Sequence, residues 1–261
     1  MNSTDVGALF SAAGKDGTLS KGALSVLDAE DIGAVINQGL GITPDDITAS
    51  EVNNVFMLLD DSSSIEHAGN TQHVRDGHNL IVDSLLKTKQ ADAIIMCGRA
   101  LNRGQIYPCV RLPDVPRLDA SNYNPSGGTP LYDESTIILG MAAAKHQQFA
   151  DNGVPCRTIV PIITDGADVG SRKQRPDHVR TIVQDLLRTE QFIVIGVGID
   201  DGVTNFRSVF QSMGIDDRWI LTPGNSPSEI RKAFAMVSQS VSRASQNAQA
   251  FSTAAMGGFA G

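Results

Sequence analysis

Short apolar runs and longer amphipathic segments alternate from about residue 52 onward. The apolar runs at 55–59, 158–164 and 192–198 are short and bounded by turn residues, as expected of buried strands. Between the last two, residues 177–188 repeat apolar side chains at the i, i+3, i+4, i+7 spacing of a surface helix. Strands that are apolar on both faces and separated by helices predict a mainly parallel sheet covered by helices on both sides.

Polar side chains follow two of these strands and one glycine-rich loop. Asp60, Ser62 and Ser64 come directly after the first strand, and Asp165 follows the strand at 158–164. Thr129 lies in the loop Ser126-Gly127-Gly128-Thr129, which leads into a helix predicted over 131–150. Such residues also form turns and helix caps. However, carboxylate and hydroxyl oxygens suit Mg²⁺, and the carboxyl ends of strands are where open α/β sheets bind ligands.

Taken in order, these three segments resemble the von Willebrand factor A (VWA) family with its metal-ion-dependent adhesion site. The family pattern is Asp-x-Ser-x-Ser, then a Thr in a later loop, then an Asp, usually in Thr-Asp-Gly. The matching positions here are Asp60, Ser62, Ser64, Thr129 and Asp165, over about residues 53–245. The resemblance implies a Rossmann-like, doubly wound α/β fold with one short antiparallel strand, which we assign to residues 106–112.

The resemblance also implies a chemistry for the site. The hydroxyls would bind a divalent cation directly and the aspartates partly through water, and an open position would accept a Glu or Asp side chain from a partner protein. Physical reasoning agrees, because two carboxylates at the ends of neighbouring strands repel each other unless a cation lies between them. We expect Mg²⁺, with Mn²⁺ or Ca²⁺ as alternatives.

Composition limits the classes of partner. The chain has 261 residues, a net charge of −8 and a sequence pI of about 5.0, which argues against nucleic acid or an anionic membrane as the main partner. Three cysteines, with no apolar run of membrane-spanning length and no secretory signal pattern, favour a cytoplasmic protein.

Two other functions compete with cation-dependent protein binding. A metal-dependent phosphatase or phosphotransfer enzyme could use Asp60, but a haloacid-dehalogenase-type phosphatase needs an Asp where this chain has Ser62. A receiver domain needs a Lys that no strand end offers, and no phosphate-binding glycine motif opens a helix. A scaffold stiffened by its metal is the third possibility. We therefore expect a binding module and not an enzyme.

The chain divides into three predicted parts. Residues 1–52 are predicted to form an N-terminal helical extension, 53–245 the VWA domain and 246–261 a flexible C-terminal tail, in which Phe251 and Phe259 are the candidates for docking. Lys15-Asp16-Gly17-Thr18 partly matches a calcium-binding loop but lacks its closing acid, so a turn is expected. The segment 237–245 resembles intracellular bacterial members of the tellurium-resistance and stress-response type.

Overall fold

A computed structural model of the protein describes residues 5–28, 30–246 and 258–259. Within these ranges six strands and nine α-helices alternate as the hydrophobic pattern predicts. The strands are β1 (Val52–Leu59), β2 (Ile94–Ala100), β3 (Gly104–Arg111), β4 (Cys156–Thr164), β5 (Phe192–Gly198) and β6 (Ile220–Leu221). The helices are α1 (Val6–Lys15), α2 (Lys21–Leu27), α3 (Glu30–Gly39), α4 (Ser63–His67), α5 (Thr71–Leu85), α6 (Leu131–Asp151), α7 (Pro176–Arg188), α8 (Phe206–Ser212) and α9 (Pro227–Gln246).

All six strands belong to one sheet in the order β3-β2-β1-β4-β5-β6. Every strand pair is parallel except β2 with β3, which is antiparallel. The doubly wound fold and its antiparallel strand are therefore confirmed. From β1 the chain proceeds outward to β2 and β3, and it then returns to place β4 on the other side of β1. The strand order thus reverses between β1 and β4, which is where sheets of this kind open a crevice for ligands.

One predicted helix is wrong. The sequence pattern predicts a continuous helix over 66–87, but the chain forms α4, then a break, then α5. Gly69 has φ +75°, and its N–H donates to the carbonyl of Glu66, so the glycine ends α4 in a left-handed turn. The apolar spacing continues across the break from Ile65 to Val74, both buried, which is why the period alone did not reveal it.

The N-terminal helices share the hydrophobic core of the sheet. Helices α1 and α3 pack on α6, and α2 packs on α7. Gly140 of α6 permits the close approach, because a Cβ there would lie 2.7 Å from Ile36 and 2.8 Å from Leu27. The partial calcium-loop segment forms a turn, in which Asp16 accepts a hydrogen bond from Gln147 at 2.8 Å. The division of the chain at residue 52 stays a prediction.

Of the predicted C-terminal tail, Gln246 is the last residue of α9, and the rest lies outside the described residues except for Gly258 and Phe259. The ring of Phe259 meets Trp219 edge to face, with 5.5 Å between the ring centroids, and its N–H donates to the carbonyl of Arg218 at 2.8 Å. Phe259 therefore docks beside the short edge strand β6. Among the described residues, no helix combines the length and the apolar character that a membrane span needs.

Candidate metal centre

Asp60 and Asp165 extend from the carboxyl ends of the neighbouring strands β1 and β4. Both residues are buried, at 1% and 4% exposure. Asp60 is fixed in place: one carboxylate oxygen accepts from the backbone N–H of Ser62 at 2.8 Å, and the other accepts from the hydroxyl of Thr164 at 2.6 Å. The N–H of Asp165 also points to that second oxygen, at 3.4 Å. The pairing of the two strands therefore brings the two carboxyl groups to one point.

The serine hydroxyls connect with the carboxyl group of Asp165. The Oγ atoms of Ser62 and Ser64 are 2.8 Å apart, and Ser64 Oγ donates to Asp165 Oδ1 at 2.6 Å. Adjacent oxygens around an octahedral Mg²⁺ are about 2.9 Å apart, given Mg–O distances of 2.0–2.1 Å. These oxygens are therefore spaced closely enough to share one small cation after modest adjustment.

The loop before α6 places Thr129 opposite these hydroxyls. Thr129 and Val169 exchange two backbone hydrogen bonds of 2.9 Å each, which fastens this loop to the one that follows β4. At Gly166, an added Cβ would lie 3.5 Å from Thr129 Oγ1 and 4.0 Å from Ser64 Oγ. Because this position carries no side chain, the space between the two hydroxyls stays clear.

Further hydrogen bonds join the first loop to the loop before α6. The N–H of Ser63 donates to the carbonyl of Gly127 at 3.1 Å, and the N–H of Gly127 donates to Ser63 Oγ at 3.0 Å. The N–H of Ser126 donates to the carbonyl of Asp61 at 2.6 Å. The three loops that carry the predicted ligands are therefore tied to one another. Four of the predicted side chains, Ser62, Ser64, Thr129 and Asp165, line one cavity, and Asp60 lies buried behind Ser62.

The site lies in an open cavity of about 700 Å³. Burial raises the pKa of Asp60, although hydrogen bonds from Ser62 and Thr164 oppose the rise. Burial also raises the pKa of Asp165 to about 6, with a further contribution from the carboxylates of Asp60 and Asp201 and opposition from Ser64. Two carboxyl groups whose ionised forms are disfavoured gain from a nearby positive charge.

Asp61 does not face solvent or the cavity. It is buried, and its carboxylate accepts hydrogen bonds from the backbone N–H groups of Asn102 at 2.7 Å and Arg103 at 3.0 Å. These bonds fix the turn between β2 and β3. Asp61 therefore supports the adjacent turn, and its carboxylate does not reach the cavity.

Several supporting residues were not predicted. The hydroxyl of Tyr123 donates to the backbone carbonyl of Asp60, although 63 positions separate them. Asp168 and Ser171 cap α6 from another loop, because Ser171 Oγ accepts from the N–H groups of Tyr132 and Asp133 at 3.0 Å each. Thr164 was visible in the motif Thr164-Asp165-Gly166, but the sequence gives no sign that its hydroxyl would hold Asp60. Contacts between distant loops leave no local pattern.

The donor set fits a hard divalent cation. It offers two carboxylates and three hydroxyls, all oxygen, on a site with negative charge. In residues 5–28, 30–246 and 258–259 no cluster of three or more His, Cys, Asp or Glu side chains is placed to hold a metal ion, and this site has only two carboxylates beside its hydroxyls.

Solved structures of similar fold include the pilus adhesin SpaC from Lactobacillus rhamnosus GG. Two of its crystal structures match with TM-scores of 0.53 and 0.55 at 14% and 13% identity, over 75% of this chain and 30% and 31% of the SpaC chain. The von Willebrand factor type A protein from Catenulispora acidiphila matches at a TM-score of 0.48 and 15% identity, over 75% and 43% of the two chains. The two SpaC matches, both with TM-scores above 0.5, show a shared fold.

Proximal thread matrix protein 1 from the mussel byssus is also similar, at a TM-score of 0.49 and 20% identity over 72% of this chain. The match spans 47% of the mussel protein chain and under a third of the SpaC chain. Scans against models of protein families and against curated protein sequences find no match. At these identities the likeness concerns the fold alone.

Proposed function

We propose that this chain is a protein-binding module whose affinity for its partner depends on a bound divalent cation. Asp60, Ser62, Ser64, Thr129 and Asp165 hold the cation, which accepts a Glu or Asp side chain from a partner protein. We propose Mg²⁺ as the ion, with Mn²⁺ or Ca²⁺ as alternatives. The observation that carries the proposal is that Ser62, Ser64, Thr129 and Asp165, from three loops, line one open cavity, with Asp60 buried directly behind Ser62.

Each residue has a defined task in this proposal. Asp60 lies deepest, and both of its oxygens accept hydrogen bonds, so it supplies charge beneath the ion and acts partly through water. The hydroxyls of Ser62 and Ser64 turn their lone pairs toward the ion, and Ser64 then gives up its donation to Asp165. Thr129 closes the opposite side. The bound ion supplies the positive charge that attracts a carboxylate.

Charge balance favours an acidic partner. Two carboxylates at most neutralise a divalent cation, and three neutral hydroxyls add no charge. Five protein oxygens, some acting through water, leave room in an octahedral sphere, and the cavity opens to solvent on that side. A carboxylate that enters this position gains both a bond to the ion and attraction to its positive charge. Arg172, Lys173 and Arg175, all exposed on the loop after β4, could steer such a partner.

The first experiment measures cation affinity. Titration calorimetry with Mg²⁺ compares the wild type with Thr129→Ala and Asp165→Ala. We expect each variant to lose at least about tenfold in affinity, since even indirect supports of a metal site are worth that much. Thr48→Ala and Asp92→Ala serve as controls, because both residues are exposed and precede the opposite ends of strands. Unchanged affinity in the first two variants, with cooperative unfolding retained, refutes the ligand assignment.

The absence of catalysis is part of the proposal. A phosphatase that used Asp60 as its nucleophile would need that carboxylate exposed to the substrate, whereas Asp60 is buried, at 1% exposure, and does not line the cavity. We expect no hydrolysis of a generic phosphate ester with Mg²⁺. If hydrolysis occurs and Asp60→Asn abolishes it, the enzymatic alternative replaces the binding module.

The cellular setting is also our proposal. A net charge of −8 disfavours nucleic acid and anionic membranes as partners. A cytoplasmic role beside other proteins, of the bacterial tellurium-resistance or stress-response type, follows from the resemblance of residues 237–245. Localisation of the tagged full chain in cells tests this part separately from the metal site.

A further inference from the structure

Two exposed valines stand beside the candidate metal centre. Among the described residues, the large apolar side chains left mostly exposed are Val169, at 69%, and Val203, at 89%. Val169 lines the site cavity, and Val203 lies between Asp201 and Thr204, which also line it. Single exposed apolar residues are ordinary, but here both occur on loops at the same opening.

The two valines are held rigidly. The two backbone hydrogen bonds with Thr129 fix Val169 beside a proposed metal ligand. For Val203, one oxygen of Asp201 accepts from the N–H groups of residues 203 and 204, at 3.0 and 2.7 Å. The second oxygen of Asp201 accepts from the hydroxyl of Thr204 at 2.6 Å. A surface fixed before binding loses little conformational entropy when a partner docks.

The loops also lie close together. Val169 follows β4 and Val203 follows β5, and these strands pair directly. Paired strands are about 4.8 Å apart. The loop that begins at Asp165 and carries Val169 therefore starts one strand spacing from the loop that carries Val203. Asp200 and Asp201 precede Val203 in the same loop, and both are exposed. This side of the opening therefore offers apolar surface next to negative charge.

We infer that the partner presents its metal-binding carboxylate together with an aliphatic side chain that packs on Val169 and Val203. This inference rests on the proposed function and specifies its partner. In an extended segment the aliphatic residue lies within two positions of the acid, since alternate residues are about 7 Å apart. A second acidic residue on this side is disfavoured by Asp200 and Asp201, whereas Lys or Arg is accepted there.

The test uses a displayed library of decapeptides with a central Glu and random flanking residues. Selection on the full chain is carried out with Mg²⁺ and, in parallel, with EDTA. We expect Mg²⁺-dependent peptides enriched in Leu, Ile, Val or Met within two positions of the Glu, and depleted of a second acid beside that residue. The dissociation constants of selected peptides are then measured for Val169→Ser and Val203→Ser. Val154→Ser serves as the control, because Val154 lies near the opposite end of the sheet.

Each serine variant at the opening should weaken peptide binding about fivefold, from the lost burial of aliphatic carbon. The control should bind as the wild type does, and Mg²⁺ affinity measured without peptide should be equal in all four proteins. Selection of Glu peptides without an aliphatic preference, or equal binding by the serine variants, overturns this inference and leaves the proposed function standing. If no peptide binds in a Mg²⁺-dependent manner, both fail.

Discussion

Replacing Asp165 with Asn should stabilise the protein in the absence of metal. Burial and the carboxylates of Asp60 and Asp201 raise the pKa of Asp165 from 3.8 to about 6. The ionised carboxylate therefore destabilises the folded state at neutral pH. Asn removes the charge, keeps the shape and can still accept the hydrogen bond from Ser64. A carboxylate that is placed to bind a cation is expected to destabilise the folded protein when no cation is bound.

The magnitude follows from the shift in pKa. A rise from 3.8 to about 6 corresponds to about 3 kcal/mol at most, at 1.36 kcal/mol per pH unit. The residue is 4% exposed overall, but its carboxylate lines an open cavity, where water screens part of the penalty. We therefore expect a gain of about 1–2 kcal/mol in the free energy of unfolding. For a chain of this length, that gain raises Tm by about 2–6 °C.

The stability difference between the wild type and Asp165→Asn should depend on pH in one direction. Because the folded-state pKa is raised, the folded wild type binds more protons than the unfolded chain between pH 3.8 and about 6. Its stability relative to Asp165→Asn therefore falls as the pH rises through this window, and the difference is constant above it. Below pH 3.8 the two proteins should have equal stability.

Thermal and urea unfolding followed by circular dichroism in EDTA, at pH 4, 5, 6 and 7.5, measure this difference. Asp92→Asn is the control, because Asp92 is exposed and remote from the site; we expect a change within about 0.5 kcal/mol. Millimolar Mg²⁺ should stabilise the wild type and leave Asp165→Asn unaffected. A variant less stable than the wild type in EDTA at pH 7.5, or a pH-independent difference, would refute the reasoning.

Three further predictions follow from the structure. The apparent Mg²⁺ affinity, measured by calorimetry, should fall up to tenfold per pH unit below about pH 6, because protons compete for Asp165; a constant affinity from pH 7.5 to 5 contradicts this. Gly77→Ala should destabilise the protein by about 1–3 kcal/mol in urea unfolding, since its Cβ would lie 2.5 Å from the ring of Phe234. Gly33→Ala, with open space around its Cβ, should be neutral or stabilising, and equal effects would count against the packing argument. Phe259→Ala should shift the emission of Trp219, the single tryptophan, and lower stability by about 1 kcal/mol; an unchanged spectrum would mean that Phe259 is not docked.

Much of the fold could be predicted from the sequence because apolar runs and helix-capping residues are local patterns. Apolar runs such as 192–198 specify buried strands, and the structure has β5 at those residues. The placement of Asp60 and Asp165 at one sheet edge followed from the same logic, since carboxyl ends of adjacent parallel strands meet. Ser226 caps α9 as its residue type favours: its Oγ accepts from the N–H of Glu229 at 3.3 Å and donates to the Glu229 carboxylate at 2.6 Å.

The rest depends on contacts between distant segments. The break at Gly69 interrupts a hydrophobic period that continues on both sides, so the sequence pattern hides it. The bond from Tyr123 to the carbonyl of Asp60 and the capping of α6 by Ser171 depend on loop conformations. Such conformations are set by many weak contacts at once. The exposure of Val203 is likewise a property of the folded surface and leaves no trace in composition.

The fastening of the loop before α6 has a consequence for ion choice. Asp133 accepts the N–H groups of Arg172 and Gln174 at 2.8 and 2.7 Å, while Ser171 caps the start of the same helix. Thr129 and the chain that follows Asp165 therefore move as a single block, and their separation is nearly constant. The serine loop is tied to the loop before α6 as well, so expansion of the coordination shell for an ion as large as Ca²⁺ must come mainly from water. Stiff loops around the site are thus expected to discriminate against larger ions.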